Sequence, residues 1–309
     1  MPHEITHQSN PKHLHWVSSF YLRYFSTAET RNKKEPQAWI FSKGDADGDE
    51  VLTNIRNICG RRYLYAPIDE QGKRDYYLEE KLHGLESAVA LLWPKVADGP
   101  IDLGNDVVRK GLSLFVATMH LRNPEFRRTV ERTHTEMVKA FSQLPMKDGK
   151  PNIDRIELNG QTFSVENTGW DEFLNLTKND HDRMFVDLIE SEAMEMAETL
   201  TKKRWSIVLS ERDSFITTDR PVLLGHESRR KFGYGTPGVI VSFPVSPTRL
   251  LVIDDLHQEP ANLAYPLRPQ DAGAYNFAAW HNGSRFLITG RPVPEVLSEM
   301  MTWADAQVQ

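Results

Sequence analysis

An α+β fold is the class this 309-residue sequence predicts, and three observations predict it. Apolar residues recur at helical spacing through the middle of the chain, from Leu78 to Lys202. Short β-branched and aromatic runs separated by turn dipeptides dominate the stretch from Trp205 to Ile253. A smaller set of extended runs precedes the helices. Helices gathered in one stretch and strands in another, without strict alternation, point to α+β rather than to a parallel α/β sheet. The expectation is a single compact domain over 1–309. A helix and a small β element fill 13–77, helices fill 78–202, and a β-rich region fills 203–290. The helical middle packs against a C-terminal antiparallel sheet.

Residues 1–12 are polar. Residues 14–25 read as a short helix, because Trp16, Val17, Phe20, Tyr21 and Tyr24 fall on one side at helical spacing. Ala38 to Phe41 reads as a strand, followed by an acidic, glycine-containing loop over 43–50 and a second extended piece over 57–65. Leu78, Leu82, Leu85, Val89 and Leu92 are spaced 4, 3, 4 and 3 apart, an amphipathic helix that Pro94 is expected to stop. A second long helix is expected over 105–122 and a third from Pro124, carrying Phe126, Val130, Met137, Val138 and Phe141. A turn-rich insert over 146–159 and a strand over 161–165 lead to a fourth long helix over 180–202. Strands then follow over 205–209, 214–218, 238–243 and 249–253, with a helix over 271–280.

The bulk numbers narrow the function classes. Hydrophobic content of 39% with 26% charged residues is globular. A formal net charge of −6 disfavours a dedicated nucleic-acid coat, although a local basic cleft is compatible with it. The lone Cys59 cannot form an intrachain disulfide and fits a reducing, cytoplasmic setting. The opening residues lack the basic and apolar regions of a signal peptide, and no apolar run approaches the roughly 20 residues that span a bilayer. There is no Walker lysine loop, no Gly-x-Ser-x-Gly elbow and no DNA-binding motif. Cys59 reads as a small buried hydrophobe rather than a nucleophile.

Charge falls where apolar surface is expected. At 100° per residue, Arg122 lies inside the stripe formed by Val108, Leu112, Phe115 and Met119. Glu192 lies near the centre of the stripe Phe185, Leu188, Ile189, Met196 and Leu200, with His181 at its edge. Glu79, His83 and Glu86 line the margin of the leucine stripe. A buried ion without a partner costs several kcal/mol or is neutralised. Two arrangements satisfy these groups. Either Arg122 pairs with Glu192 or Glu79 as an internal salt bridge, or the charges face a cleft shared with His15, Arg23 and Asp219. In the second arrangement the arginines bind an anion and a glutamate acts as general base or metal ligand. His3, His7, His13 and His15 read as a polar tail, and no metal site is expected. Asp219 before Pro221 suits a turn as well as a strand-end catalytic position. Arg128 and His134, with five residues between them on a helix, resemble a metal-independent ribonuclease signature.

The block His15-Trp-Val-Ser-Ser-Phe20-Tyr-Leu-Arg23-Tyr-Phe25 resembles the opening of a bacterial family, domain of unknown function 4238: His-aromatic-x-Pro-x-aromatic-Tyr-Leu-Arg-x-Phe. Leu78-Glu79 with Glu86 is similar to its Leu-Glu…Glu helix, and His120-Leu-Arg122-Asn-Pro124 to its Arg-x-Pro step. Phe215-Ile-Thr-Thr-Asp219-Arg-Pro221-Val resembles its Phe-x-Thr-Ser-Asp-x-Pro-Val strand end. Phe243-Pro-Val-Ser-Pro247 resembles its Pro-x-Ser-Pro strand, and Tyr275-Asn276 its late asparagine helix. Ser18 stands where that pattern has proline and Thr218 where it has serine; neither removes a charge. The resemblance implies an architecture and a set of positions, and it brings no activity with it.

From these readings the expected catalytic residues are His15, Glu79, Glu86, Glu192 and Asp219, and the expected substrate-binding residues are Arg23, Arg122 and Asn276. The expected function is an enzyme of hydrolase or nuclease type on an anionic, phosphorylated substrate such as a nucleotide or RNA. The alternative is a non-catalytic anion-sensing or protein-interaction module around a structural ion network. No cofactor is named by the sequence.

Overall fold

The computed structural model describes residues 13–44, 50–152, 155–158, 161–164, 169–227, 232–269 and 271–308. The residues of the polar tail before His13, most of the acidic loop over 43–50 and Val165 of the expected strand lie outside them.

The N-terminal region runs β1 (His13–His15), α1 (Ser19–Tyr24), β2 (Gln37–Ser42), β3 (Glu50–Asn54) and β4 (Gly60–Arg62). The helix expected over 14–25 is therefore a strand followed by a shorter helix. β1 pairs antiparallel with β4, and Ser18 is extended as the residue before α1. Backbone pairing to β4 outweighs the helical pattern of Trp16 and Val17, both of which still reach the core.

The helical middle holds α2 (Tyr77–Ala97), α3 (Asp106–Leu121) and α4 (Pro124–Phe141). It continues through the hairpins β5 (Met146–Lys147) with β6 (Lys150–Pro151) and β7 (Arg155–Leu158) with β8 (Gln161–Ser164) to α5 (Trp170–Leu174) and α6 (Lys178–Lys202). Pro94 does not stop α2; it sits within the last turn. There it removes a single backbone donor while Trp93, Val96 and Ala97 are buried beyond it. Caps set the other ends. Asn105 accepts from the N–H groups of Val107 and Val108, Asn123 from those of Glu125 and Phe126 with Pro124 in the first turn, and Thr177 forms a capping box with Asp180. α3 packs along α6, and α1 and α2 meet the C-terminal sheet at one strand, Ile240–Ser246.

The C-terminal region comprises β9 (Arg204–Leu209), β10 (Thr217–Thr218), β11 (Leu223–Gly225), β12 (Ile240–Ser246), β13 (Arg249–Asp254), β14 (Leu263–Pro266), α7 (Asp271–Asn282), β15 (Phe286–Thr289) and α8 (Val293–Val308). One sheet has the order β11-β12-β13-β9-β14, antiparallel except for β14 beside β9. The other, β10-β15-β2-β3, joins C-terminal strands to the N-terminal pair. The segment 214–218 thus contributes β10 to the N-terminal sheet, not to the C-terminal one. β3, α5, α8, β11, β14 and β15 fall where the sequence predicts no strand or helix. The main core draws on all three regions, from Leu14 and Tyr21 through Trp93 and Phe115 to Trp205 and Phe243. Tyr21, Trp93, Phe115 and Phe243 stack or meet edge to face there.

Candidate functional site

Two clefts flank the β1–β4 ribbon, and Trp16 stands between their supports. Alternation along β1 buries Leu14 and leaves His13 and His15 on the other side, their rings 5.1 Å apart. Gly60, opposite His15, makes room for them: a Cβ there would collide with the His13 ring. The Trp16 indole donates to the Asp219 carbonyl at 2.9 Å, and the Trp16 carbonyl accepts from Arg122 Nε at 3.0 Å.

Arg122 caps α3 and is 1% exposed. Its Nη1 donates to Glu86 Oε1 at 2.6 Å and its Nη2 to Ser18 Oγ at 2.6 Å and Met119 Sδ at 3.1 Å. Ser18 Oγ donates in turn to Glu86 Oε1 at 2.9 Å. Burial works against the charge of the guanidinium, but Glu86, Tyr65 and Glu79 offset this and hold its pKa above the ordinary value. The partner is Glu86, not Glu192 or Glu79, so the internal salt bridge forms with a different acid.

Beside this pair lies an open cleft of about 380 Å³ lined by His13, His15, Glu79, His83 and Glu86. His15 Nε2 donates to the Arg56 carbonyl at 3.1 Å; a carbonyl only accepts, so the proton sits on Nε2 and Nδ1 is the basic nitrogen. Burial lowers the His15 pKa, and burial followed by repulsion from Glu86 raises that of Glu79. The sequence-derived residues His15, Glu79 and Glu86 are thereby brought together, with Arg122 sealed behind them.

The second cleft, about 360 Å³, is lined by Arg61 of β4, Arg128 of α4, Arg220 and Arg285, with Trp16, Asn123, Pro124, Glu125, Asp219 and Ser284. Arg128 is paired with Glu125 at 2.5 Å. Among the described residues, Arg61, Arg220 and Arg285 have no carboxylate within salt-bridge distance. Asp219 faces inward: its Oδ1 accepts from the backbone N–H of Ser284 at 2.9 Å and of Phe286 at 3.4 Å, and Oδ2 accepts from Arg285 N–H at 3.0 Å. Burial raises its pKa against these bonds. The first turn of α4 adds the positive end of an 18-residue helix.

Other sequence-derived positions lie elsewhere. Arg23 Nη1 donates to the carbonyls of Arg31 at 2.8 Å and Lys33 at 3.0 Å, so it ties down the loop after α1 and does not share a cavity with Arg122. Glu192 is half-buried and accepts from the Tyr234 hydroxyl at 3.2 Å. Burial, and then the charge of Glu192, raise the Tyr234 pKa to about 12. Helix α6 is rotated enough to turn Glu192 off the core face that Ile189, Ala193 and Met196 occupy. Asn276 is fully buried; it accepts from Ile216 N–H at 3.1 Å and donates to the Ser214 carbonyl at 2.8 Å, joining α7 to the segment before β10. Arg128 and His134 do not converge. Arg128 lines the arginine cleft, whereas His134 donates to the Phe173 carbonyl at 2.6 Å and accepts from His181 at 3.1 Å.

Two spacings in the sequence also bear on motif chemistry. Gly233-Tyr-Gly235-Thr-Pro-Gly238 has the Gly-x-Gly-x-x-Gly pattern, but it leads into strand β12 instead of leaving a strand for a helix, so it presents no dinucleotide-binding turn. His3-Glu-Ile-Thr-His7 has the His-Glu-x-x-His spacing and lies outside the described residues. Among the described residues, no group of three or more His, Cys, Asp or Glu is disposed to hold a metal ion, and no helix is long and apolar enough to cross a membrane.

Residues 13–292 match the family model described as "Protein of unknown function (DUF4238)". The chain belongs to that family. No curated protein and no solved structure matches it. In this DUF4238 member the segments that resemble the family pattern meet around Trp16: the opening block, Glu86, the Arg122 step and the Asp219 strand end. The arginines of the second cleft escape that pattern. Arg61 lies in an Arg-Arg doublet, Arg220 directly follows Asp219 and Arg285 precedes β15. Only the doublet offers a sequence signal for them.

Proposed function

We propose that this protein binds a phosphorylated ligand of nucleotide size in the arginine cleft. One observation carries the reading: Arg61, Arg220 and Arg285 converge with Arg128 on one hollow of about 360 Å³, and the first three lack carboxylate partners. Guanidinium groups offer paired donors matched to phosphate oxygens, and the α4 N-terminus, its first N–H groups already taken by Asn123, adds a favourable dipole. The hollow falls in the range of ordinary small-molecule sites, roughly 300–1,000 Å³. Asp219, both of whose oxygens accept backbone N–H groups, shapes this cleft and does not serve as its base. The arrangement favours the anion-binding module over a hydrolase working within this cleft. As part of the same reading the chain works as one unit in a reducing cytoplasm, which its shared core and buried, unpaired Cys59 support.

Calorimetric titration with inorganic phosphate and with uridine monophosphate tests it. Binding is expected for both, with Arg220→Ala and Arg285→Ala each weakening it about tenfold, the worth of roughly one charge-assisted contact. Absence of binding by the wild type, or equal binding by both variants, overturns the reading.

A second reading is favoured by the other cleft, where burial lowers His15 and raises Glu79. Acid and base groups displaced toward one another suit proton transfer. An enzyme of hydrolase type would use His15 Nδ1 as base, with Glu79 as acid and Glu86 held by Arg122. Phosphatase or nucleotidase turnover that vanishes in His15→Ala and in Glu79→Gln supports this reading; turnover unchanged in both rejects it.

A further inference from the structure

We infer that the arginine cleft continues into a track for a single-stranded oligonucleotide, gripped by its phosphates, an inference that rests on the phosphate-cleft reading above. Arg61 also lines a second hollow of about 130 Å³, together with Arg62, Tyr63, Arg74, Arg127 and Lys178. The one carboxylate lining it, Asp182, is already held by Arg127 Nε at 2.5 Å. Arg61, Arg62 and Lys178 have no ion pair among the described residues. Arg127 supplies a second, independent observation. It is 5% exposed, its Nη1 donates to Glu131 at 2.9 Å, and its Nη2 meets no acceptor among the described residues. A buried donor left without an acceptor is costly, so this position is suited to an incoming oxygen.

Size decides the ligand class. The second hollow is far smaller than the roughly 300 Å³ at which small-molecule sites begin, so it admits a phosphodiester group and not a second nucleoside. A molecule that fills the larger cleft and also places an anion in the smaller one carries repeated phosphates along a chain. Tyr63, with the Arg74 guanidinium 4.5 Å over its ring, adds an aromatic group of the kind that accompanies basic tracks for single strands. The recognition is of phosphate, so little dependence on base sequence or sugar is expected.

The test compares fluorescein-labelled decauridylate with uridine monophosphate on the full chain. Decauridylate should bind at least tenfold more tightly than the mononucleotide. The charge reversal Arg62→Glu with Lys178→Glu changes two exposed side chains outside the larger cleft. It should weaken decauridylate at least tenfold, leave the mononucleotide unaffected and lower the slope of log affinity against log salt by about 0.7 for each phosphate no longer neutralised. Equal affinities for the two ligands, or decauridylate binding untouched by the reversal while the mononucleotide still binds, overturn the track and leave the larger cleft intact. Failure of both ligands and of phosphate to bind overturns the cleft reading itself, and the track with it.

Discussion

Arg122→Ala should destabilise the fold by roughly 3–5 kcal/mol, the range for removing one partner of a buried ion pair. The side chain is 1% exposed and donates to four acceptors on three segments: the Trp16 carbonyl, Ser18 Oγ, Met119 Sδ and Glu86 Oε1. Truncation leaves the first two without their donor and Glu86 without its counter-charge. The Glu86 side chain is 25% exposed and can turn partly to water, which places the cost at the lower end, about 3 kcal/mol. With an unfolding entropy of about 2.1 cal/mol/K per residue, a chain of this length loses about 5 °C of melting temperature for that cost. Thermal and urea unfolding of wild type, Arg122→Ala, Glu86→Gln and the double variant give the coupling directly. The pair should show a coupling of at least about 1 kcal/mol, since the two groups touch. A melting temperature for Arg122→Ala within 1 °C of wild type, or strict additivity, would refute the buried pair.

Asp219→Ala should cost about 3 kcal/mol, roughly one for each backbone N–H it leaves unpaired, and Asp219→Asn clearly less, since one oxygen still accepts; equal losses in urea unfolding would count against its turn-fixing role. Stability should also fall at acid pH. Burial lowers His120 to about 4 and also lowers His15 and His181, so each is neutral when folded and takes a proton when unfolded. Their stabilising share is full above the unfolded histidine value near 6.5 and is lost as pH falls toward the folded value. For His120, part of whose surface still meets solvent, the ceiling is about 3 kcal/mol. The raised Glu79 and Asp219 act in the opposite direction over the same range, so the sign is best read from His120→Gln: urea midpoints at pH 7.5 and 4.5 should differ less in the variant than in wild type, and an unchanged difference would exclude His120 as the source.

Much of the fold was legible because its periods are long. α2, α3, α4 and α6 carry their stripes over four or more turns, and asparagine or threonine caps mark the starts of three of them. β1 was not legible. Three residues give no period, and its pairing partner β4 lies 45 positions away. The transfer of β10 and β15 to the N-terminal sheet is equally non-local. The site divides in the same way. Glu79, Glu86 and Arg122 stood out because charge on an apolar stripe must find a partner, and it did, although helical projection could not choose which acid. Glu192 failed because a few tens of degrees of helix rotation decide between core and margin. Asn276 is buried as a backbone bridge, a role its sequence neighbourhood does not distinguish from ligand binding.

The arginines separate by the partners they have. Arg122 and Arg109 each donate to four acceptors and are thereby structural: Arg109 links Leu103, Thr201, Asn262 and Lys203 across α3, the end of α6 and the loop before β14. Their donors are spent, and neither could bind an external anion without unpairing part of the core. Arg61, Arg220 and Arg285 are the reverse case, with charge assembled on one concave surface and no carboxylate within salt-bridge distance, in a chain whose net charge is −6. Like charges brought together without close ion pairs weaken a fold through repulsion, and any anion that binds them relieves it. Phosphate should therefore raise the melting temperature, logarithmically once its concentration exceeds the dissociation constant, and the rise should shrink in Arg220→Ala. High salt alone should reproduce part of the stabilisation by screening, but not the dependence on Arg220 at fixed ionic strength. If sodium chloride and phosphate at equal ionic strength stabilise the wild type equally, the cleft is only a patch of repelling charge, and specific anion recognition by these arginines is refuted.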